Sequence, residues 1–128
     1  MYRFFVSILI TFVFLSSCNT AKRHIRLGNK RFAKGEYEFA AENYKTAIAK
    51  GANSAEVYFK VAESYRKSNR IIDAGPFYKQ AIDGGLKKDT AQFYYGVYLK
   101  TLGEYENAKS VFNQYLKSGS TPDFLLER

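Results

Sequence analysis

One spacing, 34 residues, governs most of this chain. Ala40, Ala74 and Ala108 recur at that interval, and so do Tyr44, Tyr78 and Phe112. Ile48, Ile82 and Leu116 keep it, as do Gly51, Gly85 and Gly119. Gly35, Asn69 and Gly103 are in register too, each followed two residues on by Tyr37, Ile71 or Tyr105. Leu27-Gly28, Val61-Ala62 and Tyr95-Gly96 fill one earlier slot; Ala47 and Ala81 match, while the third copy has Tyr115. A fixed period of this length marks stacked supersecondary units, none of which can bury its apolar face alone.

Each residue type has a physical reason. Alanine or glycine is needed where two helices approach closely, because a larger side chain separates their axes. The aromatic four residues after each alanine lies one turn along the same face and fills the gap between units. Gly35, Asn69 and Gly103 suit the left-handed position that ends a helix, and Gly51, Gly85 and Gly119 suit the next such stop. The spacing therefore predicts helix pairs over about Ala21–Lys34 and Tyr37–Lys50, Ala55–Lys67 and Ile71–Ile82, and Thr90–Leu102 and Tyr105–Leu116. Ser54 and Asp89 read as N-caps. Gly75-Pro76 inside the second unit's later helix predicts a late start or a bend. Arg31 stands where Tyr65 and Leu99 stand in the other copies, and Phe32 is placed to supply the lost packing. Thr121-Pro122-Asp123 is a helix-start signal, followed by apolar Phe124-Leu125-Leu126.

The first residues read as an address. Met1-Tyr2-Arg3 carries one positive charge, Phe4 to Leu15 is almost wholly apolar, and Leu15-Ser16-Ser17-Cys18 follows. That is the layout of a secretory signal, and the run is too short to span a bilayer. Leu-Ser-Ser-Cys resembles the bacterial lipobox, which implies cleavage before Cys18 and lipid on its thiol. Asn19 in the next position leans, by the same resemblance, to the outer membrane with the domain facing the periplasm.

A 34-residue period with small residues at these places resembles the tetratricopeptide repeat (TPR). The resemblance implies an all-α, right-handed solenoid of three helix-turn-helix repeats with the start of a seventh helix. The expected organisation is a signal peptide over 1–17 and a lipidated cysteine with a short tether over 18–20. Three repeats then cover 21–120 (about 21–54, 55–88 and 89–120), with a capping or further helix begun at 121–128. Three stretches carry the likeness further. Lys60 to Lys67, Phe77 to Ile82 and Tyr94 to Tyr105 resemble the N-terminal TPR regions of Bacteroidetes outer-membrane lipoproteins of the OmpA-like type. That group includes PorE-like members associated with type IX secretion. The downstream propeller and peptidoglycan-binding domains of that group have no counterpart in these 128 residues.

The residue counts exclude most chemistry. With one cysteine and one histidine, Cys18 and His24, the chain offers no intrachain disulfide and no thiol–imidazole pair once Cys18 carries lipid. No glycine-rich phosphate loop follows a strand, and Glu36, Glu38 and Glu42 cluster at a helix start, where negative charge suits the dipole. No catalytic residue, metal site or cofactor is expected; the chain reads as a scaffold and not an enzyme. The formal charge of +8 favours acidic partners. Aromatic content of 17% would suit stacked bases, but Tyr44, Tyr78 and Phe112 fall on core slots, so no nucleic acid is expected.

In TPR arrays the concave face is lined by the first helix of each repeat. The resemblance places Lys22, Arg26, Asn29, Phe59, Lys60, Glu63, Arg66, Lys67, Phe93, Tyr94 and Lys100 there, a basic surface with interleaved aromatics. The expected partner is an acidic protein segment or a subunit of an envelope assembly, with the membrane engaged through the lipid anchor. Only Asn29 matches the two-carboxylate clamp of chaperone-binding TPRs. The rival reading is a structural spacer that holds a further C-terminal domain away from the membrane.

Overall fold

The computed structural model describes residues 19–119. The signal, Cys18 and the segment from 120 to 128 lie outside the described residues, and with them the lipidation and seventh-helix expectations. Among the described residues six helices follow one another: α1 (19–33), α2 (Tyr37–Ala49), α3 (Ala55–Lys67), α4 (Ile71–Asp83), α5 (Asp89–Thr101) and α6 (Tyr105–Lys117). The described residues contain no strand. The helices stack as an all-α TPR solenoid of three helical pairs; α2 to α6 each pack on the next, and α1 meets α2 through Tyr44.

The helix stops are where the 34-residue pattern puts them. Gly35, Asn69 and Gly103 have φ of 74°, 59° and 80°, and Gly51, Gly85 and Gly119 have 99°, 89° and 74°. In this left-handed conformation the next amide turns back onto the helix. Glu36, Arg70 and Glu104 donate their backbone N–H groups to the carbonyls of Arg31, Tyr65 and Leu99 at 3.0, 2.9 and 2.9 Å. These are the closing bonds of the Schellman arrangement, and they satisfy carbonyls that the helix ends would orphan.

Three local expectations change. Asn19 and Thr20, read as tether, are the opening residues of the described part of α1, since neither blocks helical geometry. Asp89 is the first residue of α5 and Lys88 its N-cap; the Asp89 carboxylate serves the first turn instead. By contrast Ser54 caps α3 as expected, its Oγ accepting from the Val57 N–H at 3.3 Å. Nor does α4 start late. It begins at Ile71, in register with α2 and α6, and carries Pro76 as its sixth residue. The ring removes the amide that would bond the Ile72 carbonyl. Pro76 and Ile72 are both exposed, so water can take that carbonyl.

The core follows the repeat. Ala40, Ala74 and Ala81 are fully buried, and Tyr44 and Tyr78 are the largest side chains so enclosed. Burying an aromatic of this kind contributes about 1.5–3 kcal/mol. A Cβ on Gly28 would lie 2.5 Å from Cε1 of Tyr44, and one on Gly96 would lie 2.7 Å from Cε1 of Phe112. Glycine there lets the ring of the paired helix lie against the backbone. Tyr115, standing where the earlier copies have alanine, is buried and meets Phe93 with ring centres 5.6 Å apart. Arg31 lies outside the core, paired with Glu36. Phe32 takes over the packing and meets the Tyr37 ring edge-on at 5.1 Å.

Candidate partner-binding groove

The first helices of the three repeats, α1, α3 and α5, present the expected side chains at equivalent turns. Arg26, Lys60 and Tyr94 share one slot; Asn29, Glu63 and Val97 share another. The structure connects them through the tyrosines of the second helices. Tyr44 donates its hydroxyl to Asn29 Oδ1 at 2.8 Å. Lys60 Nζ donates to the same oxygen at 3.0 Å and lies 5.7 Å from the centre of the Tyr44 ring.

One repeat on, the geometry recurs with different chemistry. The Tyr78 hydroxyl donates to the Glu63 carboxylate. Tyr94, in the slot of Lys60, stacks on Tyr78 with ring centres 6.1 Å apart. In the third copy Phe112 has no hydroxyl, and Val97 has nothing to accept one. Acceptor and donor thus change together along the repeats, a hydrogen bond being retained wherever the buried ring carries a polar tip.

Arg66 does not reach outward as a free cation. It bonds Glu63 through two nitrogens at 2.9 and 2.7 Å, donates to the Tyr94 hydroxyl at 3.4 Å, and holds its guanidinium carbon 4.4 Å from the Tyr94 ring centre. Burial works against its charge, but the hydrogen bond and charge of Glu63 outweigh that and hold its pKa above the ordinary arginine value. The Tyr78 phenol is pushed far up, first by burial and then by the Glu63 charge. Burial alone pushes Tyr44 up to about 12. Glu63 and Arg66 are therefore an internal clamp between α3, α4 and α5.

The groove falls into two halves. On the α1 side stand the polar groups Arg26, Asn29 and Lys60, with Lys22 exposed one turn before Arg26. On the α5 side stand aromatics. Phe59 meets Tyr78 edge-on at 6.1 Å, and Phe93 touches Tyr94 at 5.2 Å and Phe112 at 5.7 Å. Phe59, Phe93 and Tyr94 are half-buried, so each keeps an accessible part. Lys67 and Lys100 are exposed near the C-terminal ends of α3 and α5. Sequence reasoning left out Lys88, whose ammonium lies 4.4 Å over the Phe59 ring and bonds Glu56 at 3.0 Å. It also left out the tyrosine hydroxyls. Their signal was present: Asn29 and Glu63 each precede a repeat tyrosine by 15 residues, and Val97 precedes Phe112 by the same interval. Among the described residues no group of three histidine, cysteine or acidic side chains is placed to hold a metal ion.

Comparison with known proteins agrees with the fold. The TPR repeat family matches residues 28–69. No curated protein matches the chain. Among solved structures, the second TPR of Spaghetti (RPAP3) bound to the HSP90 peptide SRMEEVD is 29% identical, with a TM-score of 0.64, over 76% of this chain and 90% of that one. The second TPR domain of human RPAP3, in complex with the HSP70 peptide SGPTIEEVD, is 27% identical with a TM-score of 0.63, over 80% and 83%. The Arabidopsis OM64 TPR domain, 19% identical with a TM-score of 0.65 over 78% and 83%, shares the fold.

Proposed function

We propose that this chain is a protein-binding scaffold whose groove along α1, α3 and α5 holds an extended, acidic segment of a partner. The observation that carries the reading is the Lys60 ammonium. It is held in place by Asn29 and the Tyr44 ring, and among the described residues no carboxylate is paired with it. A preorganised cation of this kind meets a carboxylate at little further entropic cost. Arg26 and Lys22 extend the basic half, while the accessible parts of Phe59, Phe93 and Tyr94 offer apolar contact to the next residues of the segment. The partner segment is therefore bipartite, acidic toward α1 and apolar toward α5. Two structural neighbours above 25% identity were solved with peptides ending in Glu-Glu-Val-Asp, which is consistent with that class of ligand.

The location follows from the leader. Lipid on Cys18 would seat the repeats at an envelope membrane, with Lys22, Arg23 and Arg26 nearest the headgroups. The scaffold would then serve an envelope assembly, of the secretion or peptidoglycan-anchoring kind that the OmpA-like resemblance implies. The rival role as a plain spacer needs no groove chemistry, and that difference decides between them. Crosslinked pull-down from intact envelopes should recover a partner with wild type and lose it with Lys60→Glu at unchanged helicity. Equal recovery by the two proteins would favour the spacer. Cys18→Ala should leave unprocessed or soluble protein; if that variant still fractionates with outer membrane as wild type does, the anchor is wrong.

A further inference from the structure

Charge is not spread evenly along the chain. Residues 22–34 carry six cations and no acid, whereas residues 35–128 carry 13 cations and 12 acids. The excess therefore belongs almost wholly to α1 and the turn after it. In the later helices cations are largely matched: Lys45, Arg66, Arg70, Lys79 and Lys88 each meet a carboxylate. On α1 Arg31 does so, through Glu36. Among the described residues Arg23, Lys30 and Lys34 are in no ion pair.

The repeat register tells which way these side chains face. Tyr98 of the third repeat occupies the slot of Lys30, and a Cβ on Gly75 of the second repeat would overlap its ring. The slot therefore looks back along the solenoid, toward the preceding repeat. Arg23 and Leu27 lie on the same side of α1, seven and three residues before Lys30. In the second repeat these three slots hold Val57, Val61 and Ser64, all buried. In the first they are open: Arg23 and Lys30 are exposed, and Leu27 is 38% exposed. Phe39 of α2 faces the same way. Its slot holds Asp73 in the second repeat, bonded to the Arg70 that reaches back to Glu38. Phe39 is 64% exposed, with the Arg31 guanidinium carbon 5.6 Å from its ring centre. The first end of the solenoid is thus a face of cations set around two open apolar side chains.

We propose that this end face docks on an anionic lipid bilayer, as a surface separate from the groove. Its setting rests on the reading of the leader given above, while the affinity itself belongs to α1 and α2. A hydrated cap on a terminal repeat needs only polarity, of either sign. Here the unpaired charges are of one sign, since Glu36, Glu38 and Glu42 are held by Arg31, Arg70 and Lys45. Cations beside an open leucine and phenylalanine suit the boundary between headgroups and acyl chains. From Arg23 to Lys34 the basic line runs along about 16 Å of helix, so it meets several headgroups at once. The described part of α1 opens at Asn19, directly after Cys18 in sequence, so the chain enters the solenoid at this end. Docked in this way the array stands on its first repeat, with the second and third carried further from the bilayer.

The test is partition of the purified full chain, carrying Cys18→Ser so that no lipid is attached, into vesicles of phosphatidylcholine with and without phosphatidylglycerol. The apolar leader acts alike on both, so the readout is the ratio of the two partition constants. Three cations, at about fivefold each, should favour the anionic vesicles about a hundredfold, and salt should erode that ratio. Arg23→Gln with Lys30→Gln should lower the ratio about twentyfold at unchanged helicity. Lys109→Gln with Lys117→Gln removes the same charge from exposed positions on α6 and should leave the ratio within about twofold. The anchor and the groove have their own tests, in fractionation of Cys18→Ala and in partner capture by Lys60, so either can fail while this ratio holds. The proposal is overturned if the chain shows no anionic preference, if the preference survives Arg23→Gln with Lys30→Gln, or if the two double variants lose it equally.

Discussion

Two basic side chains on α3, six residues apart, have opposite roles. Lys60 ends on an amide oxygen and a ring face, so its charge remains available. Arg66 ends on a carboxylate, with both partners mostly enclosed: side-chain exposure is 21% for Arg66 and 15% for Glu63. In a helix sequence they look alike, since nothing in spacing tells which cation meets an acid three residues away across a partly buried face. Substitution separates them. Arg66→Glu would press two carboxylates together beneath Tyr94 and should cost about 3 kcal/mol, the lower end of the range for breaking enclosed ion pairs. Lys60→Glu, at a position open to the groove, gives up one hydrogen bond and one ring contact and should shift stability by about 1 kcal/mol or less. Thermal melts of the two variants check this, and equal melting would mean that Arg66 is as free as Lys60. The tyrosines set the alkaline limit. Tyr44 titrates near 12 in the fold against 10.0 ordinarily, and Tyr78 is raised further in direction. The unfolded chain therefore loses these protons first. The stabilisation is fully present below pH 10 and disappears as pH rises through the folded values. Melts should be level from pH 7 to about 9.5 and fall steeply above 10; a decline already complete by pH 9 would contradict the assigned burial.

At the scale of the element, two kinds of glycine carry different loads. Gly35 has φ of 74° and open space around its Cα, so Gly35→Ala meets backbone strain alone and should cost about 1–2 kcal/mol. Gly35→Asn should cost less, as Asn69 already shows at the equivalent stop. Gly28 lies within a helix, where any side chain meets the Tyr44 ring; Gly28→Val should cost about 1–3 kcal/mol through overpacking. Denaturant melts of the three variants should rank in that sense, and a harmless Gly28→Val would mean that α1 and α2 do not approach closely. The helix stops were legible in the sequence because a left-handed residue has few candidates. The start of α4 at Ile71 was legible as well, from the repeat spacing, and only the late-start alternative raised by Pro76 falls away. Pro76 was weighed by its sequence position alone, whereas an exposed face lets water replace the bond it removes. Glycine at position 75 gave no hint that it faces Tyr98, because that contact joins neighbouring repeats.

The whole molecule was readable wherever it is periodic. Ala40, Ala74 and Ala108, with the ring one turn after each, specify both helix pairing and repeat stacking, so the solenoid follows from one interval. Ala74→Leu should accordingly cost about 1–3 kcal/mol or more, with a predominantly helical circular dichroism spectrum retained. What periodicity conceals is difference between copies. The split of the groove into a polar half and an aromatic half, and the basic end face of α1, both arise where one repeat departs from the others. Binding is the claim that stands on those departures. Its most direct test is fluorescence anisotropy of the full chain against labelled extended peptides, with acidic and apolar halves, beside matched peptides in which Gln replaces each acid. The acidic peptides should bind at least tenfold more tightly than their Gln counterparts, and Lys60→Glu should abolish that preference while melting far closer to wild type than Arg66→Glu does. Equal affinity for both peptide sets, or an acidic preference that survives Lys60→Glu, would contradict the groove as the site of recognition.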